Sequence, residues 1–319
     1  RVWKNAPANL RQVAMVGRAH GERLFAIYED ERVTYDAWFR AVAQLAGELR
    51  ARGVEKGDRV ALAMRNLPEW PVAFFAATTI GAICVPLNAW WTGPELAFGL
   101  ANSGAKLLVC DAERWDRIAP HRAELPDLAT VLVSRSDAAP DGAERREDVL
   151  GTPHDYASLP QAELPEVEIE PEDEATIFYT SGTTGQPKGV KLPLPEDEDI
   201  AGPNGVAGLA QMIFGFHEDC VYLSPAPLYH AAPLRWNVAV QALGGTSIIM
   251  EKFDPERALQ LIEQYKCDVG QFVPTHFVRM LKLPEEVRTK YDVSSIKSAV
   301  HAAAPVPVPV SSPHLPLPT

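Results

Sequence analysis

Cysteine is scarce in this chain. Cys84, Cys110, Cys220 and Cys267 are all that 319 residues contain. No two lie close together, and neither a Cys-x-x-Cys pair nor a Cys/His metal spacing occurs. A disulfide framework is excluded, and buried, reduced thiols in a cytoplasmic protein are expected. Blocks of basic residues are missing too. Thirty Lys and Arg stand against 42 Asp and Glu, for a net charge of −12. Nucleic-acid binders carry a basic face and proteins held on anionic lipid carry polybasic segments, so neither partner is expected. Long apolar runs are absent as well. Residues 70–94 carry no charge, but Pro71, Thr78, Thr79, Gly81, Pro86 and Asn88 interrupt them. That excludes an integral membrane segment there. The start, Arg-Val-Trp-Lys-Asn, has no apolar core of a signal peptide and no Met, so a longer parent protein is expected.

What is present is a globular composition. Apolar residues make up 46% of the chain, enough for one large domain or two lobes. Thr34 caps a helix to about Arg52, with Trp38, Val42, Leu45 and Leu49 on one stripe and Gly53 as the stop. Asp58–Met64 reads as a strand. A helix follows from Pro68 to Thr79, then a short buried strand at Ala82–Val85. Thr92 caps a helix to about Ser103, and Lys106–Cys110 is the next strand. Residues 134–174 are polar, with seven acids between Glu163 and Glu174, and read as a solvated linker. Alternation then resumes. Strands are expected at Val221–Leu223, Ser247–Met250, Asp268–Val273 and Lys297–Val300. Helices are expected from Asp254 and Pro255 through Tyr265 and over Pro274–Leu281. The alternation predicts an α/β fold of mainly parallel sheet flanked by helices. Residues 1–170 form one lobe and 171–305 a second. Residues 306–319, rich in proline, form an extended tail. The first strand-to-helix turn, Arg65-Asn66-Leu67-Pro68, has no Gly-x-Gly-x-x-Gly, which disfavours a dinucleotide fold of the usual kind.

The most informative stretch is Tyr179-Thr-Ser-Gly-Thr-Thr-Gly-Gln-Pro-Lys-Gly-Val190. The apolar run Ala175–Tyr179 leads into it as a strand. A strand that ends in a loop rich in glycine and hydroxyl groups can fold its N–H donors around a phosphate. Lysine adds a positive charge on a flexible stem, and the hydroxyls can also face a metal ion. The loop is not a Walker A motif: counting from Gly182, Pro187 falls where the second glycine belongs, and Gly189 follows Lys188 in place of Ser or Thr. A plain surface turn rarely needs this density of glycine and hydroxyl.

Thr180-Ser-Gly-Thr-Thr-Gly-Gln-Pro-Lys-Gly189 resembles the signature of the acyl-adenylate-forming, AMP-binding enzymes. Asn66-Leu-Pro-Glu-Trp70, Gly81-Ala-Ile-Cys-Val-Pro-Leu-Asn88, Pro227-Leu-Tyr-His230 and His301-Ala-Ala-Ala-Pro305 resemble other segments of that family. The resemblance runs from about residue 10 to Pro305 and is strongest to fatty-acyl-CoA ligases. It implies the two-lobed α/β fold of an acyl-CoA synthetase N-terminal domain. It implies activation of a small-molecule carboxylic acid, a fatty acid foremost, with ATP, Mg²⁺ and coenzyme A. Thr180, Ser181, Gly182, Thr183, Thr184 and Gly185 would hold the phosphates, with Lys188 as an electrostatic clamp. His230 would gate or line the acyl pocket, and Ala303 and Ala304 would meet the adenine. Metal ligands are not assigned. Tyr229 reads as core, and Arg235 and Trp236 suit a surface cation and a core indole as well as an acyl site. His276 and His301 read as satisfying backbone groups.

Two segments depart from the pattern. Residues 191–205 are unusually rich in Pro and acid. The Tyr-Gly-x-Thr-Glu segment, the adenosine-binding Asp and the mobile C-terminal domain of the family do not occur in this chain. The chain alone is therefore expected to make no acyl-CoA. Two other functions compete: an adenylation domain that loads a carrier protein, and a nucleotide-binding module without turnover. The first is disfavoured because no Asp lies near 228–237.

Overall fold

A computed structural model describes residues 9–180, 189–190 and 206–301. The motif residues 181–188, Ala303 and Ala304, and the tail 306–319 lie outside the described residues. Helix α1 (Leu10–Arg18) opens the chain, followed by strands β1 (Leu24–Tyr28) and β2 (Glu31–Thr34). Helix α2 (Tyr35–Ala51) begins at Thr34, whose Oγ1 accepts from the Ala37 N–H at 3.2 Å. Its stripe of Trp38, Val42, Leu45 and Leu49 is fully buried, as the spacing predicts. Next come β3 (Arg59–Ala63), α3 (Glu69–Thr79), β4 (Ile83–Pro86), α4 (Gly93–Ser103), β5 (Ala105–Asp111) and α5 (Ala112–Ile118). A reciprocal Thr92–Glu95 capping box starts α4, and Gly104 ends it at φ +62°, a backbone state open to glycine at little cost. Strands β6 (Thr130–Ser134) and β7 (Glu144–Arg145), helix α6 (Glu147–Leu150), and strands β8 (Phe178–Tyr179) and β9 (Gly189–Val190) follow.

The chain divides into two compact units. One holds the residues up to Glu22 with Val33–Ile200, and the other Arg23–Arg32 with Ala201–Thr319. The sequence reading gave all of 1–170 to one lobe. The structure draws the line differently, because β1 pairs in parallel with a strand of the second unit, Ala26 opposite Ser247.

The first unit is built on a five-stranded sheet of order β4-β3-β5-β6-β7, parallel throughout. Its inner strands are almost continuously apolar, which is the pattern of strands covered on both faces. One face packs Ala61, Val85, Leu108, Val131 and Val133 with Trp91, Leu96 and Trp115. Elsewhere in the unit Trp38 meets Phe75 edge-on, with centroids 5.3 Å apart.

Residues 134–174 are not a solvated linker. They carry β7, α6 and a 3₁₀ turn at Pro153–Ser158, and they bind along the first unit through arginines. Arg40 donates to the Leu159 carbonyl at 3.0 Å, Arg11 to the Pro165 carbonyl at 2.8 Å, and Asn9 to the Ile169 carbonyl at 3.0 Å. Buried Arg146 donates to Ser134 Oγ and the Tyr156 hydroxyl. Guanidinium-to-carbonyl bonds need no apolar side chain in the segment, so composition alone gave the wrong expectation.

The second unit continues with α7 (Val206–Phe214), β10 (Val221–Ser224), α8 (Ala231–Leu243), β11 (Thr246–Ile249), α9 (Pro255–Tyr265), β12 (Val269–Phe272), α10 (Pro274–Leu281), α11 (Glu285–Arg288) and β13 (Ser298–His301). Asp254 caps α9 through the Arg257 N–H at 2.8 Å. The sheet order is β13-β12-β10-β11-β1-β2. Ile248, Leu223, Phe272, Leu259, Ile262 and Phe277 fill one core. Tyr222, Trp236, Val240, Val269 and Val300 fill another, on the α8 side.

Candidate active site

The strand leading into the motif hangs on the free edge of the first sheet. Cys84 N–H donates to the Ala175 carbonyl at 2.9 Å, and Ile177 N–H returns to the Cys84 carbonyl at 3.0 Å. A parallel bridge joins Cys84 and Thr176. Only Phe178–Tyr179 of the expected strand is a full strand, paired antiparallel with β9 so that Tyr179 faces Gly189. Strands β8 and β9 thus flank the motif in sequence and pair with each other. Tyr179 anchors its entry. The hydroxyl donates to Asn102 Oδ1 at 2.7 Å, and the ring meets Trp91 edge-on at 5.8 Å. Thr180, the one motif residue among 180–188 that is described, is exposed.

The second unit positions His230. The segment Pro227–Tyr229 leaves the carboxyl end of β10, and His230 is the N-cap residue of α8, its carbonyl accepting from the Leu234 N–H at 3.2 Å. The ring lies 4.5 Å from Tyr229 at 53°. It keeps a solvent-facing surface, yet the protein packed around it lowers its pKa by desolvation, which favours the neutral imidazole. Tyr229 and Trp236 are buried and Arg235 is exposed. Trp236 packs on Phe214 and Phe216. His276 Nδ1 accepts from the Val273 N–H at 3.5 Å at the start of α10. The four thiols are buried and burial raises their pKa values, Cys220 to about 11.

Sequence reasoning missed a feature at the carboxyl end of the first sheet. Arg65, just beyond β3, lies with its guanidinium 3.2 Å from the centroid of Trp90, an indole 54% exposed. The Arg65 N–H donates to Asp111 Oδ2, and Arg114 binds both oxygens of that carboxylate. No local motif signals this meeting, since its members come from three separate segments. Among the described residues no group of three or more His, Cys, Asp or Glu could hold a metal ion, and no helix is long and apolar enough to cross a membrane.

The AMP-binding enzyme family model matches residues 13–313, and the chain belongs to that family. It is 32% identical over 287 residues to 4-coumarate–CoA ligase CCL1 of Humulus lupulus, covering 86% of this chain and 48% of that protein. To 4-coumarate–CoA ligase 1 of Petroselinum crispum it is 31% identical, with the same coverage. The chain thus spans about half the length of the curated relatives it matches. Among solved structures, the inhibitor-bound N-terminal domain of FACL13 from Mycobacterium tuberculosis superposes with a TM-score of 0.77 at 28% identity, over 95% of this chain and 71% of that one. ATP-bound MatB from Rhodopseudomonas palustris gives 0.74 at 25%, over 95% and 56%. The two-sheet α/β architecture is that of these N-terminal domains.

Proposed function

We propose that the protein activates a carboxylic acid, fatty or aryl, with ATP and passes the acyl group to coenzyme A. The observation that carries this reading is the β8–β9 pairing, which brackets the Thr-Ser-Gly-Thr-Thr-Gly-Gln-Pro-Lys sequence between two strands fixed at Tyr179 and Gly189. The acid's carboxylate attacks the α-phosphorus, an acyl-phosphate bond forms, and the bond to pyrophosphate breaks. Negative charge is brought against negative charge, so donors fixed in advance where charge develops lower the barrier most. Thr180, Ser181, Gly182, Thr183, Thr184 and Gly185 take the role of phosphate cradle, and Lys188 that of clamp. Gly182, Gly185 and Gly189 allow backbone angles that other residues resist. A Mg²⁺ bound with the nucleotide needs few protein ligands, since phosphate and water oxygens supply most of its shell; the hydroxyls of 180–184 suit that arrangement, and the ion would supply charge neutralisation. His230, neutral and at a helix start, takes the role of gate to the acyl pocket. Ala303 and Ala304 are small enough for adenine to lie against the backbone. The thiol of coenzyme A then takes the acyl group and AMP leaves.

The test is pyrophosphate release by the full-length encoded protein with ATP, Mg²⁺ and a panel of fatty and aryl acids. Acid-dependent release supports the reading. ATP binding with no release for any acid would instead identify a nucleotide-binding module.

A further inference from the structure

The first turn of α8 has little hold of its own. His230, its N-cap residue, makes no side-chain cap bond, and Pro233 has no N–H to donate. Asparagine is a weak helix former, yet Asn237 stands in the middle of α8, half-buried. Its side chain does what the turn does not. Nδ2 donates to the Pro233 carbonyl at 2.9 Å and to Ser224 Oγ at 3.0 Å, and Oδ1 accepts from Ser247 Oγ at 3.1 Å. Both amide hydrogens are used. The orientation follows, because turning the amide over would set Oδ1 against the Pro233 carbonyl oxygen.

The two serines come from different strands. Ser224 ends β10 and Ser247 lies in β11, and both are buried. The strands pair in parallel, with Tyr222 opposite Ser247 and Ser224 opposite Ile249. Side chains alternate across a strand, and Tyr222 packs with Trp236 and Val240 of α8. Ser224 and Ser247 therefore both face that helix. Only residues 225–229 separate Ser224 from His230. That segment is held at Ser224, and the turn beyond it is held again through Asn237 and Pro233.

This bond set exceeds what docking α8 on the sheet requires. Trp236, Ala239 and Val240 already bury the helix there by apolar contact. Exchanging a bonded polar set for apolar groups of the same shape is close to neutral for stability. Apolar contact is non-directional, however. It leaves the helix free to slide and turn slightly on the sheet. Hydrogen bonds prefer narrow distances and angles, and three of them, made to two strands and one carbonyl, fix the helix start in place.

We propose that Asn237 is a positioning residue: it holds the first turn of α8, and with it the His230 ring, in the one place that suits the reaction. It acts through His230 and not by contact with the acid. This rests on the acid-activation reading above, in which His230 gates the acyl pocket. A misplacement of about 1 Å, caused away from the reacting atoms, can cost up to about a hundredfold in rate.

The experiment compares the full-length protein with Asn237→Ala, His230→Ala and the double variant. Pyrophosphate release with ATP, Mg²⁺ and the panel of acids gives kcat and KM, and urea unfolding gives stability. The His230 ring is titrated by NMR without acid or nucleotide, its signal identified by its loss in His230→Ala. Asn237→Ala is expected to lower kcat/KM roughly tenfold or more. In the His230→Ala background the same change is expected to cost less than about twofold, since a residue that acts through another then has nothing to act on. The His230 titration, held below 6.5 by the protein packed around it, should move up as the turn loosens and water reaches the ring. Ser247→Ala removes one anchor and keeps the bond to Pro233. It should show the same pattern more weakly, and it decides the matter if Asn237→Ala does not fold. A purely structural Asn237 would lower the urea midpoint and cost the same in both backgrounds. Equal losses in the two backgrounds, or no loss in either, overturn the proposal. If the wild type releases no pyrophosphate with any acid, acid activation falls and the titration decides: an unmoved His230 ring sinks the positioning role, and a shifted ring keeps Asn237 as the residue that places His230.

Discussion

The Tyr179 hydroxyl lies 2.7 Å from Asn102 Oδ1, tying the residue that enters the motif loop to helix α4. Tyr179→Phe removes that bond and keeps the ring against Trp91. A loss of about 1 kcal/mol is expected, the usual net worth of one such bond. Amide exchange at residues 176–179 should quicken while α2 stays protected. Unchanged exchange at 176–179 would show that the sheet edge alone holds the strand.

Lys188→Ala in the full-length protein is expected to lower the rate of adenylate formation far more than it weakens acid binding. A charge acting on the triphosphate as the acid attacks is worth roughly 2–4 kcal/mol in the transition state. An unaltered rate of pyrophosphate release would remove Lys188 from the site.

Glu69 has no exposed side-chain surface and lies between two arginines, with Arg135 Nε at 2.6 Å and Arg146 Nη2 at 3.7 Å. Removing one partner of a buried ion pair strands the other charges, at a cost of about 3–5 kcal/mol. Glu69→Leu should therefore unfold at clearly lower urea than the wild type. A midpoint within error of the wild type would show that the cluster adds nothing.

His276 gives the fold an acid-sensitive point. Burial, with Arg279 nearby, lowers its pKa from 6.5 to about 4. Above pH 6.5 the ring is neutral in both folded and unfolded chains. Between pH 6.5 and 4 the unfolded chain takes up a proton that the folded one refuses, so stability falls as pH falls. At about 1.4 kcal/mol for each pH unit between the two values, the loss reaches about 3 kcal/mol. His276→Gln, which keeps an acceptor for the Val273 N–H, should flatten this part of the stability profile. Urea midpoints at pH 7 and pH 5 for both proteins decide the matter; an equal drop in both would put the acid sensitivity elsewhere.

Local chemistry wrote much of the fold into the sequence. Thr34, Thr92 and Asp254 cap the helices they were expected to cap, because a cap and its first turn are neighbours in the chain. The apolar runs of β3, β5, β10 and β12 fell within a residue or two of their observed ends, since strands covered on both faces carry a continuous pattern. The motif at 180–189, with the match over 13–313, carries the family. Tertiary structure alone decided the rest. It placed β1 beside β11, held the acidic stretch 163–170 with Arg11 and Arg18, and set Arg65 on Trp90. Each of these joins residues far apart in sequence, through backbone carbonyls, ring faces or sheet register that no local spacing records; only closure of the sheets brings them into range.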